Sequence, residues 1–102
     1  MRLDPYVVDT LLPDLVGHDR QPSAFLVYLL LWRLSTHADG APDGRPVEIA
    51  LQDVAERTGL SKRGVQDAVA RLVRRGLLTV RRDSITAVGA YTVRRPWVRR
   101  PA

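Results

Sequence analysis

Apolar residues recur along this chain with two different periods. Val7, Val8, Leu11 and Leu12 fall three and four apart, the spacing of one helical face. Asp4-Pro5 ahead of them reads as an N-cap followed by proline in the first turn. Pro13 interrupts, and Asp14–Gly17 can add one further turn. Gln21-Pro22-Ser23 is a loop with Ser23 as the expected N-cap of a longer helix, Ala24–His37. Its middle, Phe25–Trp32 with Leu34, is apolar on nearly every side, and a helix that is hydrophobic all round is buried all round. A small domain covers about one face of such a helix. The remainder is expected to meet the N-terminal helix, a second subunit, or both.

Ala38–Pro46 is rich in turn formers, and Val47-Glu48-Ile49 alternates like a very short strand. Helical spacing returns with Leu51, Val54, Ala55 and Thr58, and Gly59 ends that helix. Ser61 is the expected N-cap of the next, with Val65, Ala68, Val69, Leu72 and Val73 as its buried stripe and Gly76 at its stop. The period then shortens. Leu77–Arg82 and Ala90–Arg95 read as two strands, Asp83-Ser84 as a turn between them, and Pro96 as the end of the second. The pair of helices around Gly59 has the tight spacing that a helix-turn-helix requires. Leu60 can plug the space between them, and Ser61 can satisfy the first amides of the second helix.

The chain's 102 residues suffice for one domain with one modest core. We divide it into an N-terminal helical extension (1–20), a core (22–95) and a basic tail (96–102). The fold class is mainly α with a small antiparallel β-hairpin. No cysteine is present, which excludes disulfides and thiolate metal sites and fits a reducing compartment; a cytoplasmic location is expected. Met1–Arg20 carries four aspartates and lacks the basic start of a signal peptide. The longest apolar run, Ala24–Trp32, is far shorter than the roughly 18 residues that cross a bilayer, so no membrane role is expected. Charge is unevenly spread. Residues 1–50 hold four Arg against seven Asp and Glu, net −3, and residues 71–102 hold nine Arg against one Asp, net +8. An acidic front and basic back suggest a polyanion met by one end of the molecule.

The stretch "VEIALQDVAERTGLSKRGVQDAVARLVRRGLLTVRR" resembles the winged helix-turn-helix DNA-binding domains of bacterial regulators, the broad group that includes MarR-like and GntR-like repressors. The matching features are a short strand before the first helix, Ala55 within it, Gly59 in the turn, "LSKRGVQ", Leu72 four residues before Gly76, and "GLL" entering a hairpin. The resemblance covers residues 45–95 and implies a winged helix-turn-helix preceded by an extra N-terminal helix. It also implies that Ser61–Arg75 is a recognition helix for the major groove. Leu77–Arg95 would be the wing, reaching a backbone or an adjacent minor groove.

Helical spacing supports the same reading independently. With Val65, Val69 and Leu72 inward, the outward side carries Lys62, Arg63, Gln66, Asp67, Ala70 and Arg71. Gln66 can bond both edge groups of an adenine and Arg63 those of a guanine. Lys62 and the amides after Ser61 suit phosphate, and Arg74, Arg75, Arg81 and Arg82 would sit near the base of the wing. The plainer alternative is a solvated face, with Asp67 four residues from both Arg63 and Arg71 in ordinary helical ion pairs. Two features depart from the pattern. Gly64 lies in the first turn of the recognition helix. The wing tip, "DSITAVGA", is apolar, so phosphate contacts are expected from Arg81, Arg82, Arg94, Arg95, Arg99 and Arg100 on the flanks and tail.

Other chemistry finds little support. His18 and His37 lack partners at metal-ligand spacing, and neither a nucleophile–base arrangement nor a Gly-rich phosphate loop is present. No enzyme, metal or cofactor is therefore expected, and either no small-molecule ligand or one held at the dimer interface. Trp32 is assigned to the core or a dimer interface, Trp97 to packing the tail against the body, and Tyr6, Phe25 and Tyr28 to packing. The expected function is sequence-specific binding of double-stranded DNA by a small bacterial transcriptional regulator. It would act as a homodimer through Leu3–Val16 and Ala24–Leu34. The alternatives are the DNA-binding module of a plasmid or phage replication or partition system, and a winged helix used for protein–protein contact.

Overall fold

The computed structural model describes residues 2–35, 41–82 and 88–98. His37, the Asp83-Ser84 turn, most of the wing tip, Arg99 and Arg100 lie outside the described residues. The chain starts with two short π-helical segments, Val7–Leu11 and Asp14–His18, followed by α1 (Pro22–Leu34). Next come β1 (Val47–Glu48), α2 (Leu51–Thr58), α3 (Lys62–Arg74), β2 (Leu78–Arg81) and β3 (Ala90–Val93). The architecture is a winged helix: mainly helical, with a small antiparallel sheet.

The N-terminal helix runs on past Pro13. Its turns are wide, with Leu12 N–H donating to Val7 O and Asp19 N–H to Asp14 O at 2.8 Å. Proline cannot donate, and a widened turn carries the helical path through a residue without an N–H. Val7, Leu11 and Leu15 face inward and are buried. The next helix begins at Pro22, with Gln21 rather than Ser23 as its N-cap. Proline's fixed φ suits a first helical position, where no N–H is needed, so this start dispenses with a hydroxyl cap.

α1 is the hub of the molecule, packing against the Asp14–His18 segment, α2, α3 and β3. Ala24, Val27, Tyr28, Leu31 and Trp32 are buried, while Leu26 stays exposed. Much of the apolar excess of this helix is therefore absorbed within the chain. Val65, Ala68 and Leu72 of α3 complete the core with Val54, Ala55, Leu77, Leu78, Tyr91 and Val93. One expected core position is not there: Val73 is 45% exposed and Val69 only partly buried. The stripe of α3 is narrower than its apolar residues suggest, because α1 and the sheet meet only its central face.

β2 and β3 form the expected hairpin pair, with Leu78 opposite Val93 and Arg81 opposite Ala90. β1 adds to the far side of β3, Val47 opposite Tyr91, giving a three-stranded antiparallel sheet in the order β1-β3-β2. Pairing continues past the named strands. Gly44 N–H donates to Val93 O at 2.9 Å, Arg95 N–H to Pro42 O at 2.6 Å, and Arg94 N–H to Leu77 O at 2.9 Å.

Candidate nucleic-acid interface

The turn between α2 and α3 is built from local contacts. Gly59 takes a left-handed φ of 79° and donates its N–H to Ala55 O at 2.9 Å. That conformation is strained for residues with a Cβ and free for glycine. Leu60 packs partly buried against the core, and Ser61 is extended. Its Oγ accepts from Gly64 N–H at 2.9 Å, so α3 starts abruptly and on a defined cap. The position of Gly64 follows from the same cap. A Cβ there would lie 3.2 Å from Ser61 Oγ and 3.8 Å from Leu60 Cβ. At its other end α3 closes on Gly76, at φ 71°. Gly76 N–H donates to Val73 O at 3.0 Å and Leu77 N–H to Leu72 O at 2.9 Å, with Leu77 buried. This is the Schellman arrangement. Both ends of the helix are fixed by its own chain, and the side facing away from the core is free to meet a partner.

That side presents Ser61, Lys62, Arg63, Gln66, Asp67 and Arg74, all exposed. The expected Arg63–Asp67 pair is loose, at 3.9 Å between groups whose side chains are 86% and 63% exposed. An exposed i,i+4 pair contributes only about 0.3–0.5 kcal/mol, so Arg63 is not committed to it. Arg71 turns aside, and its Nε donates to Gln21 Oε1 at 3.1 Å. Arg81 and Arg82 are exposed at the end of β2. Arg82 faces Gln66 and Arg74 across a shallow groove between helix and strand, whose exposed apolar floor includes Ala70, Val73 and Val80.

Three other arginines assigned to nucleic acid are bound elsewhere. Arg95 is a correction: it is only 8% exposed and lies inside the molecule. Its Nη1 is 3.2 Å from Asp4 Oδ2, its Nη2 donates to Ala41 O, and its guanidinium lies 5.9 Å from the centroid of the Trp32 ring. A buried guanidinium with a carboxylate partner, a carbonyl and an aromatic face is a structural group, withdrawn from any phosphate. Arg94 Nε pairs with Asp43 Oδ1 at 3.3 Å. Arg75 bonds Asp14 and approaches Asp19 Oδ2 at 3.5 Å, which ties the last turn of α3 to the N-terminal segment.

The same region explains the aromatic residues. Trp97 stacks on Tyr6 at 4.4 Å and its Nε1 donates to Asp4 Oδ2 at 3.1 Å, so Trp97 packs against the body as expected. Trp32 Nε1 donates to Arg2 O at 2.9 Å. Tyr28 is buried, with its hydroxyl donating to Arg94 O at 2.8 Å. Burial, and secondarily the charge of Asp4, push the Tyr28 pKa well above the ordinary tyrosine value, with Arg95 acting the other way.

The structure thus gathers Lys62, Arg63, Gln66, Asp67, Arg74 and Arg82 on one side, and moves Arg71, Arg75, Arg94 and Arg95 into intramolecular contacts. Sequence reasoning missed Val73 and Val80 as surface residues. The available signal was that Val73 falls at the edge of the α3 stripe. Among the described residues no group of three or more His, Cys, Asp or Glu converges on a metal site, and no helix is long and apolar enough to cross a membrane. Compared with known proteins, residues 27–84, from within α1 to beyond β2, match the model of the MarR family. No curated protein and no solved structure matches the chain.

Proposed function

The chain belongs to the MarR family, a family of DNA-binding transcription regulators, and from this premise we propose that it reads duplex DNA through α3. The observation that carries the reading is the outward side of α3: a helix capped at both ends by its own chain that presents Lys62, Arg63, Gln66 and Asp67 to solvent. In the major groove Arg63 bonds guanine O6 and N7, Gln66 bonds adenine N6 and N7, and Asp67 accepts from a cytosine amine. Lys62 and the first amides of α3 meet phosphate, as do Arg74, Arg81 and Arg82 beside the groove.

The protein acts as a homodimer and a small bacterial regulator, working in the cytoplasm by occupying its site. Tyr6, Val8, Val16 and Leu26 remain exposed after the N-terminal segments and α1 have packed together, and this leftover apolar surface supports self-association. Two α3 helices would then read half-sites about 34–36 Å apart, one turn of DNA. The test is fluorescence anisotropy with a labelled mixed-sequence duplex at about 50 and 200 mM salt, followed by selection of the preferred site. Binding that falls steeply with salt and sharpens on the selected site is expected. No binding to any duplex at the lower salt overturns the reading, and sedimentation as a monomer at tens of micromolar overturns the dimer.

A further inference from the structure

The reading side of α3 changes character along its length. Arg63, Gln66 and Asp67 are polar, but the exposed positions that follow are Ala70 and Val73. Val73 is 45% exposed and Val80, across from it on β2, is 36% exposed. With Ala70 they floor a groove of about 490 Å³, rimmed by Gln66, Arg74 and Arg82. Apolar surface held open to water between two cations asks for a partner that is apolar in the middle and anionic at its edges. A duplex offers that combination. The 5-methyl of thymine is the apolar group on its major-groove wall, and phosphates run along both sides.

We propose that this groove takes thymine 5-methyl groups, which makes Ala70 and Val73 specificity determinants alongside Gln66. The proposal rests on the DNA reading above. Ala70 follows Gln66 by four residues, about 6 Å along a helix, which is one to two base steps of about 3.4 Å. Thymine is therefore selected one or two base pairs beyond the adenine that Gln66 reads. Arg74 and Arg82 hold the phosphates on either side, so the methyl is buried as the backbone is neutralised.

The experiment is anisotropy on the full chain with the selected duplex, replacing each thymine singly by deoxyuridine, which removes only the methyl. At one or two half-site positions deoxyuridine should weaken binding about fourfold, the value of one buried methyl group. Val73→Asn replaces both methyls at similar volume and Ala70→Ser nearly keeps volume, and both positions are exposed, so both variants should fold. Each should bring the thymine-to-deoxyuridine ratio towards one. Equal affinity for the two bases at every position overturns the proposal and leaves DNA binding standing. No binding to any duplex overturns both. If Val73→Asn abolishes self-association while the ratio persists, the groove belongs to a second copy of the chain and the proposal fails.

Discussion

Arg63 is surrounded by water, whereas Arg95 is surrounded by Asp4, Ala41 and Trp32. Substitution at the two should therefore read out differently. Arg63→Ala should leave unfolding unchanged and weaken the preferred duplex by about 1–3 kcal/mol, with relaxed preference at one base pair. Gln66→Ala should do the same at the neighbouring position, checked by the same duplex titrations. Arg95→Met should behave oppositely. It leaves Asp4 without its guanidinium in a half-buried site, and breaking a buried pair costs about 3–5 kcal/mol. Denaturant unfolding should show a loss at the lower end of that range, with DNA affinity per folded molecule unchanged. Tyr28 gives a pH prediction. Its raised pKa means that the folded state holds the proton more tightly than the unfolded chain. That stability is complete below about pH 10, the ordinary tyrosine value, and is lost as pH rises above it. Tyr28→Phe should flatten this alkaline decline in denaturation curves measured across the pH range. The Arg95 assignment could not be drawn from its neighbours in the chain. Arg95 sits in an arginine-rich stretch like any other, and its partner is 91 residues away.

At the scale of elements, the sequence is most legible where local chemistry alone decides. Gly59, Ser61 and Gly76 take the turn, cap and stop positions their side chains predict, because each acts on atoms within five residues. Ser61→Ala should therefore cost about 1 kcal/mol through the lost cap. A thermal melt should show this as a fall of about 4–8 °C for a domain of this size. Gly64→Ala offers a contrast. Its gain of about 1 kcal/mol in helix propensity is opposed by the contact its Cβ makes with the capping hydroxyl. Elements set by distant partners were less legible. β1 reads as a strand from two or three residues, but its place beside β3 depends on the loop at residues 41–46 lying along the same strand. Pro13 looks like a helix break, yet burial of Val7, Leu11 and Leu15 in the core keeps the chain helical on both sides of it. Of the reading face, Arg63, Gln66 and Asp67 follow from helical period. The apolar half does not, since whether Val73 is core or surface depends on where α1 and the sheet stop.

For the molecule as a whole, the two ends of the charge distribution fold onto each other. Asp4, Asp14, Asp19 and Asp43 from the acidic front meet Arg95, Arg75 and Arg94 from the basic back. The +8 of residues 71–102 is thus partly spent on holding the fold, and fewer cations face outward than the count suggests. Lys62, Arg74, Arg81 and Arg82 are exposed beside the reading face, and Arg63 lies on it. The four assigned to phosphate would give a log–log salt slope of about −3.6 per protomer. Titration across several salt concentrations checks this, and a steeper slope would implicate further cations, such as the exposed Arg20 and Arg57. The sheet also bears on how the molecule comes into being. Its middle strand, β3, is the last to be synthesised, while β1, which pairs with it, emerges long before. Until β3 arrives, β1 and β2 have no shared partner and Asp4 waits for Arg95 and Trp97. Helices can form as the chain leaves the ribosome, but the sheet can close only after β3 has been made. Contacts of such long sequence separation slow folding, because loop closure precedes the interactions that reward it. A chain arrested before Ala90 should accordingly be cleaved by proteases faster than one that includes β3.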